Sequence, residues 1–159
     1  MTKNKNYHLP PDSYEIDKRR FEDLISRSMV KDNLPESAVD QLEEAVKLYR
    51  GGYLQEFNST WMIPLQTHID QLHSAARLRL ARYYLERGNY VGSLNHLTVL
   101  ERTDPLNEEV HFLLMTVYTK LGQRKAAKEQ YQTFKSILAT EVGLEPPPRI
   151  TTLYTQLMK

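Results

Sequence analysis

Five histidines, His8, His68, His73, His96 and His111, are the first side chains that could do chemistry. Metal ligands on one helical face need three- or four-residue spacing, as in H-E-x-x-H. His68 and His73 are five apart and have no paired acidic ligand. They read as surface or half-buried side chains, and no metal is expected. The acidic pairs Glu43-Glu44 and Glu108-Glu109 could supply an acid and a base. Solvated charge and complementarity to a helix dipole account for them more simply. The serines and aspartates form no nucleophile elbow, and Gly51-Gly52 lacks the Lys-Ser/Thr that a phosphate loop requires. The sequence has no cysteine, which removes disulfides, thiolate metal sites and thiol nucleophiles. No enzymatic activity and no cofactor are expected.

The remaining chemistry is that of binding. The 159 residues suit one domain, and the 40% hydrophobic content is enough for a core. Lys and Arg number 21 against 20 Asp and Glu, so the basic excess of a free-standing nucleic-acid binder is lacking. No apolar run is long enough to span a bilayer, and no signal-peptide pattern opens the chain. The expectation is a soluble, cytoplasmic protein that does not touch a membrane and does not by itself bind duplex DNA.

The elements that must carry such binding are helices. Leu, Ala, Glu, Lys, Arg and Gln dominate from residue 17 onward, and the six glycines lie between periodic segments. Before that, Tyr7, Leu9, Tyr14 and Ile16 flank Pro10-Pro11-Asp12-Ser13 and suggest two short strands about a turn. Helices are then expected from Asp17 to Lys31 and from Pro35 to Arg50. A third should run from Ser59 to Arg87, a fourth from Tyr90 to Arg102 and a fifth from Leu106 to Leu121. Two more should follow, from Arg124 to Val142 and from Pro148 to Met158. Asp104-Pro105 reads as a cap followed by proline at the first helical position, and Gly143 as a C-cap.

A shift of 34 residues maps Leu80 onto Leu114, Tyr84 onto Tyr118 and Gly88 onto Gly122. The same shift maps Ser93 onto Ala127 and Leu97 onto Tyr131. A glycine turn, a small residue where helices approach, and a large apolar residue four places on form the tetratricopeptide pattern. An ordinary antiparallel bundle would bury the same residues. Stacked repeats line one face with the first helix of each pair. The inward positions are then Leu78, Arg79, Arg82 and Glu86, followed by Phe112, Thr116, Thr119 and Lys120. Arg79, Arg82 and Lys120 would make that groove basic, suited to an acidic partner segment or a phosphate-bearing ligand. Solvated surface residues are the plain alternative. Arg82 and Thr116 stand where some tetratricopeptide domains place the Asn that holds a peptide carboxylate.

Residues 104–158 resemble the bacterial transcriptional activator domain of SARP-type antibiotic regulatory proteins and related response-regulator transcription factors. The resemblance rests on Pro105-Leu106-Asn107-Glu108, Leu113-Leu114-Met115, Gly122-Gln123-Arg124 with Ala126-Ala127, and Glu141-Val142-Gly143-Leu144-Glu145-Pro146. Upstream, Ile16-Asp17 with Phe21-Glu22, then Leu48-Tyr49-Arg50-Gly51-Gly52-Tyr53-Leu54 and Trp61, are similar to that family's opening elements. The resemblance implies an all-α, tetratricopeptide-like right-handed stack of antiparallel helix hairpins, here with a short N-terminal β remnant. It implies that residues 1–16 are the trailing hairpin or linker of a winged-helix DNA-binding domain outside this sequence, and that residues 17–159 are the activator domain. DNA would then be contacted only through that other domain, while this one contacts RNA polymerase or partner subunits of the regulator. Two further readings stand beside it. One is a sensor that binds a small phosphate-bearing or nucleotide effector through Arg79 and Arg82. The other is a homodimerisation module with an exposed apolar patch at Ile150, Leu153 and Tyr154.

Overall fold

A computed structural model describes residues 11–28, 34–49 and 63–159. Seven helices account for nearly all of these described residues. The chain divides into two compact units, one up to Leu72 and one from His73.

The first unit holds α1 (Pro11–Ser28) and α2 (Glu36–Leu48). The expected second strand through Tyr14 and Ile16 is instead the first two turns of α1. Proline is well placed at a first helical position, and Asp12, Glu15 and Asp17 suit the positive end of a helix dipole. These signals outweigh a few residues of apolar alternation. Tyr7 and Leu9, of the expected first strand, lie outside the described residues, as do Gly51-Gly52, Ser59 and Trp61. The Pro35 carbonyl accepts from the Ala38 and Val39 amides at 2.8 and 3.2 Å and starts α2. Ala38, Val39, Leu42, Ala45 and Val46 form its buried stripe, and Phe21 and Ile25 are buried on α1. Tyr49 donates its hydroxyl to Asp70 at 2.5 Å. Burial, and then Asp70 itself, push the Tyr49 pKa up to about 12.

The second unit takes in most of α3 (Ile63–Glu86), then α4 (Tyr90–Thr103), α5 (Glu108–Lys120), α6 (Arg124–Glu141) and α7 (Pro148–Leu157). The two hairpin turns repeat atom for atom. Gly88 and Gly122 have φ of 74° and 72°. The Gly88 amide donates to the Leu85 carbonyl at 3.1 Å and the Asn89 amide to Tyr84 at 2.9 Å. Thirty-four residues later, Gly122 donates to Thr119 at 3.0 Å and Gln123 to Tyr118 at 2.8 Å. This is the Schellman closure, whose left-handed residue disfavours any Cβ. Ser93, fully buried, donates its hydroxyl to the Ala81 carbonyl at 2.8 Å, so a small residue is required where α4 meets α3. Its counterpart Ala127 is equally buried. The start of α5 falls later than expected: Asn107, rather than Asp104, caps it by accepting from the Val110 amide at 3.2 Å. Asp104 ends α4 and accepts instead from the Asn107 side chain at 3.0 Å.

Two apolar clusters fill this unit. Ala81, Leu97, Leu100, Val110, Leu113, Leu114 and Val117 form one. Met115, Ala127, Tyr131, Phe134, Leu138, Ile150 and Leu157 form the other. The apolar patch expected on the last helix is thereby used up. Ile150 is buried, Leu153 packs on the second cluster, and Tyr154 stacks on Tyr131 at 3.9 Å between ring centroids. Three apolar residues in ten had looked exposed because the partner face of α6 was not visible in the sequence. Opposite them, Thr152, Thr155, Gln156 and Lys159 face solvent. Arg124 donates to the Leu157 carbonyl at 2.8 Å and holds the C-terminal end of α7 to the start of α6.

A Cβ at Gly88 or Gly122 would meet no atom within 4 Å, so substitution strains only the backbone. Gly88→Ala and Gly122→Ala should each cost about 1–2 kcal/mol in denaturant unfolding. Because the turns are superposable, the two losses should match closely. Ser93→Leu should be worse than either, through overpacking.

Candidate interaction face on the first helices

Helices α3 and α5 are the first members of the two successive hairpins, and α7 packs against α5 and α6 after the second. Among the expected groove residues, Leu78 and Phe112 are half-buried against the first cluster. Thr116 and Thr119 donate their hydroxyl protons to the carbonyls of Phe112 and Met115 at 2.8 and 2.7 Å. Those protons are spent on their own helix, which leaves both side chains as acceptors. Arg79 is half-buried, while Glu86 and Lys120 are exposed near the C-terminal ends of α3 and α5.

Arg82 has a different setting. Its Nη2 lies 3.2 Å from Oε1 of Glu109 on α5. Oε2 of the same carboxylate accepts from Nη1 of Arg149 on α7 at 2.7 Å. The Arg149 guanidinium lies 3.5 Å above the Phe112 ring centroid. One carboxylate therefore bridges cations from two other helices, and one of those cations covers an aromatic face. A cleft of about 380 Å³ opens beside them, lined in part by Asn107, Glu108, Pro147 and Ile150. Arg82 and Arg149 side chains are 51% and 58% exposed. Exposed ion pairs contribute about 0–1 kcal/mol each, so this bridge orients side chains more than it holds the fold. Glu109, expected only as one of an acidic pair at a helix start, and Arg149, which no local pattern marks, are not among the expected groove positions.

The histidines also depart from expectation, since His73, His96 and His111 are buried. His111 sits in a complete polar network. A carbonyl can only accept, so Nε2–H must be the donor to Pro105 O at 2.9 Å. Nδ1 then accepts from the Gln130 amide at 2.7 Å, and the same amide donates to Glu101 at 2.5 Å. The ring stacks on Phe134 at 4.1 Å. Burial lowers the His111 pKa, opposed by the Pro105 carbonyl and by the charges of Glu101 and Asp104. This neutral imidazole ties the α4–α5 loop to α6, a structural task. Among the described residues, no group of three His, Asp or Glu could hold a metal ion.

Residues 16–158 match the family model of the bacterial transcriptional activator domain. The chain belongs to this family. The activator domain is 28% identical over 125 residues to the transcriptional regulatory protein MoaR1 of Mycobacterium tuberculosis, covering 77% of this chain and 40% of MoaR1. It is 29% identical over 75 residues to the regulatory protein AfsR of Streptomyces griseus, covering 47% and 8% respectively. The chain thus spans less than half the length of either relative. In fold it is similar to Mycobacterium tuberculosis EmbR, solved in complex with a low-affinity phosphopeptide. The TM-score is 0.67 at 20% identity, over 89% of this chain and 36% of that one. It is also similar to the C-terminal tetratricopeptide domain of a Plasmodium falciparum FK506-binding protein, with TM-score 0.64 at 17% identity. The activator domain is therefore a tetratricopeptide-like helical stack that forms part of a transcription regulator. No helix among its described residues is long and apolar enough to cross a membrane.

With a folded-state pKa lowered from 6.5, His111 favours folding most fully above that pH. The unfolded chain takes up the proton first as pH falls, so stability declines below it. His111→Gln should lower stability by about 1–3 kcal/mol at pH 8, through the disturbed buried network. It should also flatten the decline between pH 7.5 and 5.5. Urea melts across that range check both.

Proposed function

We propose that this activator domain is the protein-contacting, regulatory part of a transcription factor whose DNA-binding domain lies outside this sequence. DNA binding by that domain raises the local concentration of this one near the promoter. A weak contact with RNA polymerase, or with a neighbouring regulator subunit, then becomes effectively intramolecular. The observation that carries the reading is the face of α3, α5 and α7. There Arg82, Glu109, Arg149 and the Phe112 ring form a charged and aromatic patch beside an open cleft. Arginine and aromatic side chains are the residues that most often anchor protein interfaces. Membership of a transcription-regulator family supports the setting, and the near-balanced charge supports a protein partner over nucleic acid.

Purified domain titrated against RNA polymerase holoenzyme from the same organism should bind saturably. Charge reversal at Arg149 or Arg82 should weaken that binding by about tenfold, as expected for loss of a charged anchor. Reversal at Lys120, away from the bridge, should have the smaller effect. No binding at tens of micromolar would remove polymerase as the partner.

A further inference from the structure

The patch just described is already occupied by the chain itself. Glu109 presents one oxygen to Arg82 at 3.2 Å and the other to Arg149 at 2.7 Å. Two guanidinium groups from different helices thus enclose the space of a single carboxylate. This is the arrangement by which a binding site would hold a partner's Asp or Glu side chain. The neighbouring cleft is lined by Phe112, Pro147 and the nearly buried Ile150, with Asn107, Glu108 and Arg149 among its polar members. Arg149 links the two parts, with its edge on the carboxylate and its plane on the Phe112 ring.

Resting on the reading of this face as a protein-contact surface, we propose that Glu109 is an internal stand-in for an acidic partner residue. The partner segment brings a carboxylate to Arg82 and Arg149, displaces Glu109, and lodges an adjacent large apolar side chain in the cleft. The geometry fits such a displacement. Glu109 is 27% exposed and its two arginines are more than half exposed, so the bridge opens to solvent without disturbing either core cluster. An intramolecular counter-ion also acts as a filter. A stray single carboxylate must compete with one held permanently in place, whereas a segment that also fills the cleft gains contacts Glu109 cannot make. Glu108 in the cleft lining adds repulsion against purely acidic ligands and favours the mixed acidic and apolar segment.

A random dodecapeptide display library selected on the purified domain tests this directly. Enriched peptides should pair Asp or Glu with a neighbouring bulky apolar residue. Resynthesised with a fluorophore, they should bind about tenfold more weakly to Arg82→Ala and Arg149→Ala, the loss expected when a charge-assisted pair is removed. They should bind several-fold more tightly to Glu109→Gln and Glu109→Ala, and replacing the peptide's acid by its amide should abolish that gain. Two Glu109 variants are used so that one poorly folded protein does not decide the outcome. Unchanged or weaker binding to both folded Glu109 variants overturns the displacement. Peptides indifferent to all four substitutions overturn it too, while leaving a protein-contact function elsewhere on the domain intact. A library that yields no binder overturns both.

Discussion

Helix α5 is buried on two sides, and the second unit is organised by that fact. Six of its thirteen residues, Val110, His111, Leu113, Leu114, Met115 and Val117, are buried. Leu114 and Met115 are consecutive and both fully enclosed, yet they belong to different clusters. Successive residues on a helix point about 100° apart, so both can be buried only if packed elements approach from two directions. The α3–α4 hairpin supplies one wall and α6 with α7 the other. The Gly88 turn closes the α3–α4 wall, the Asp104–Asn107 turn brings α5 against it, and the Gly122 turn folds α6 back along α5.

This double burial decides where function can reside. Only a narrow edge of α5 remains outside the clusters, and Glu109, Phe112, Thr116 and Lys120 fall on or near it. Two of these four donate no side-chain hydrogen bond to a ligand: Thr116 spends its proton on its own backbone, and Phe112 offers only the ring face left outside the core. The remaining chemistry concentrates at the N-terminal end of α5, where Glu109 meets cations from α3 and α7. The buried polar network around His111 lies on the opposite side of the same helix turn and serves cohesion instead. Within two residues, one helix thus carries a side chain that fastens the stack and another that faces outward.

The parts of the fold legible in the sequence were those with a local physical cause. Glycine was readable at 88 and 122 because a positive φ admits few other residues, and the 34-residue offset followed from placing both. Ser93 and Ala127 were readable because close helix approach excludes bulk. Errors arose where two local signals competed. Asp104-Pro105 resembles a helix start, but Asn107 caps α5 after a four-residue turn. The alternation through Tyr14 and Ile16 resembles a strand, but Pro11 and the acidic residues after it favour a helix. At the candidate site, Arg82 was legible from repeat position. Arg149 was not, and Glu109 was visible only as one of an acidic pair, because their bridge joins helices through residues 27 and 40 apart. The structural role of His111 was hidden for the same reason, its partners lying on the preceding helix and loop and on α6.

The solvent-facing side of α7 has its own implication. Helical repeat arrays grow because each added hairpin finds an apolar wall to lie against. The exposed side of α7 offers Thr152, Thr155, Gln156 and Lys159, with Met158 the one large apolar side chain among them. A second molecule laid end-on against it would strip hydration from these groups and recover little apolar burial. Through these four residues, end-on self-association at α7 has little apolar surface to draw on.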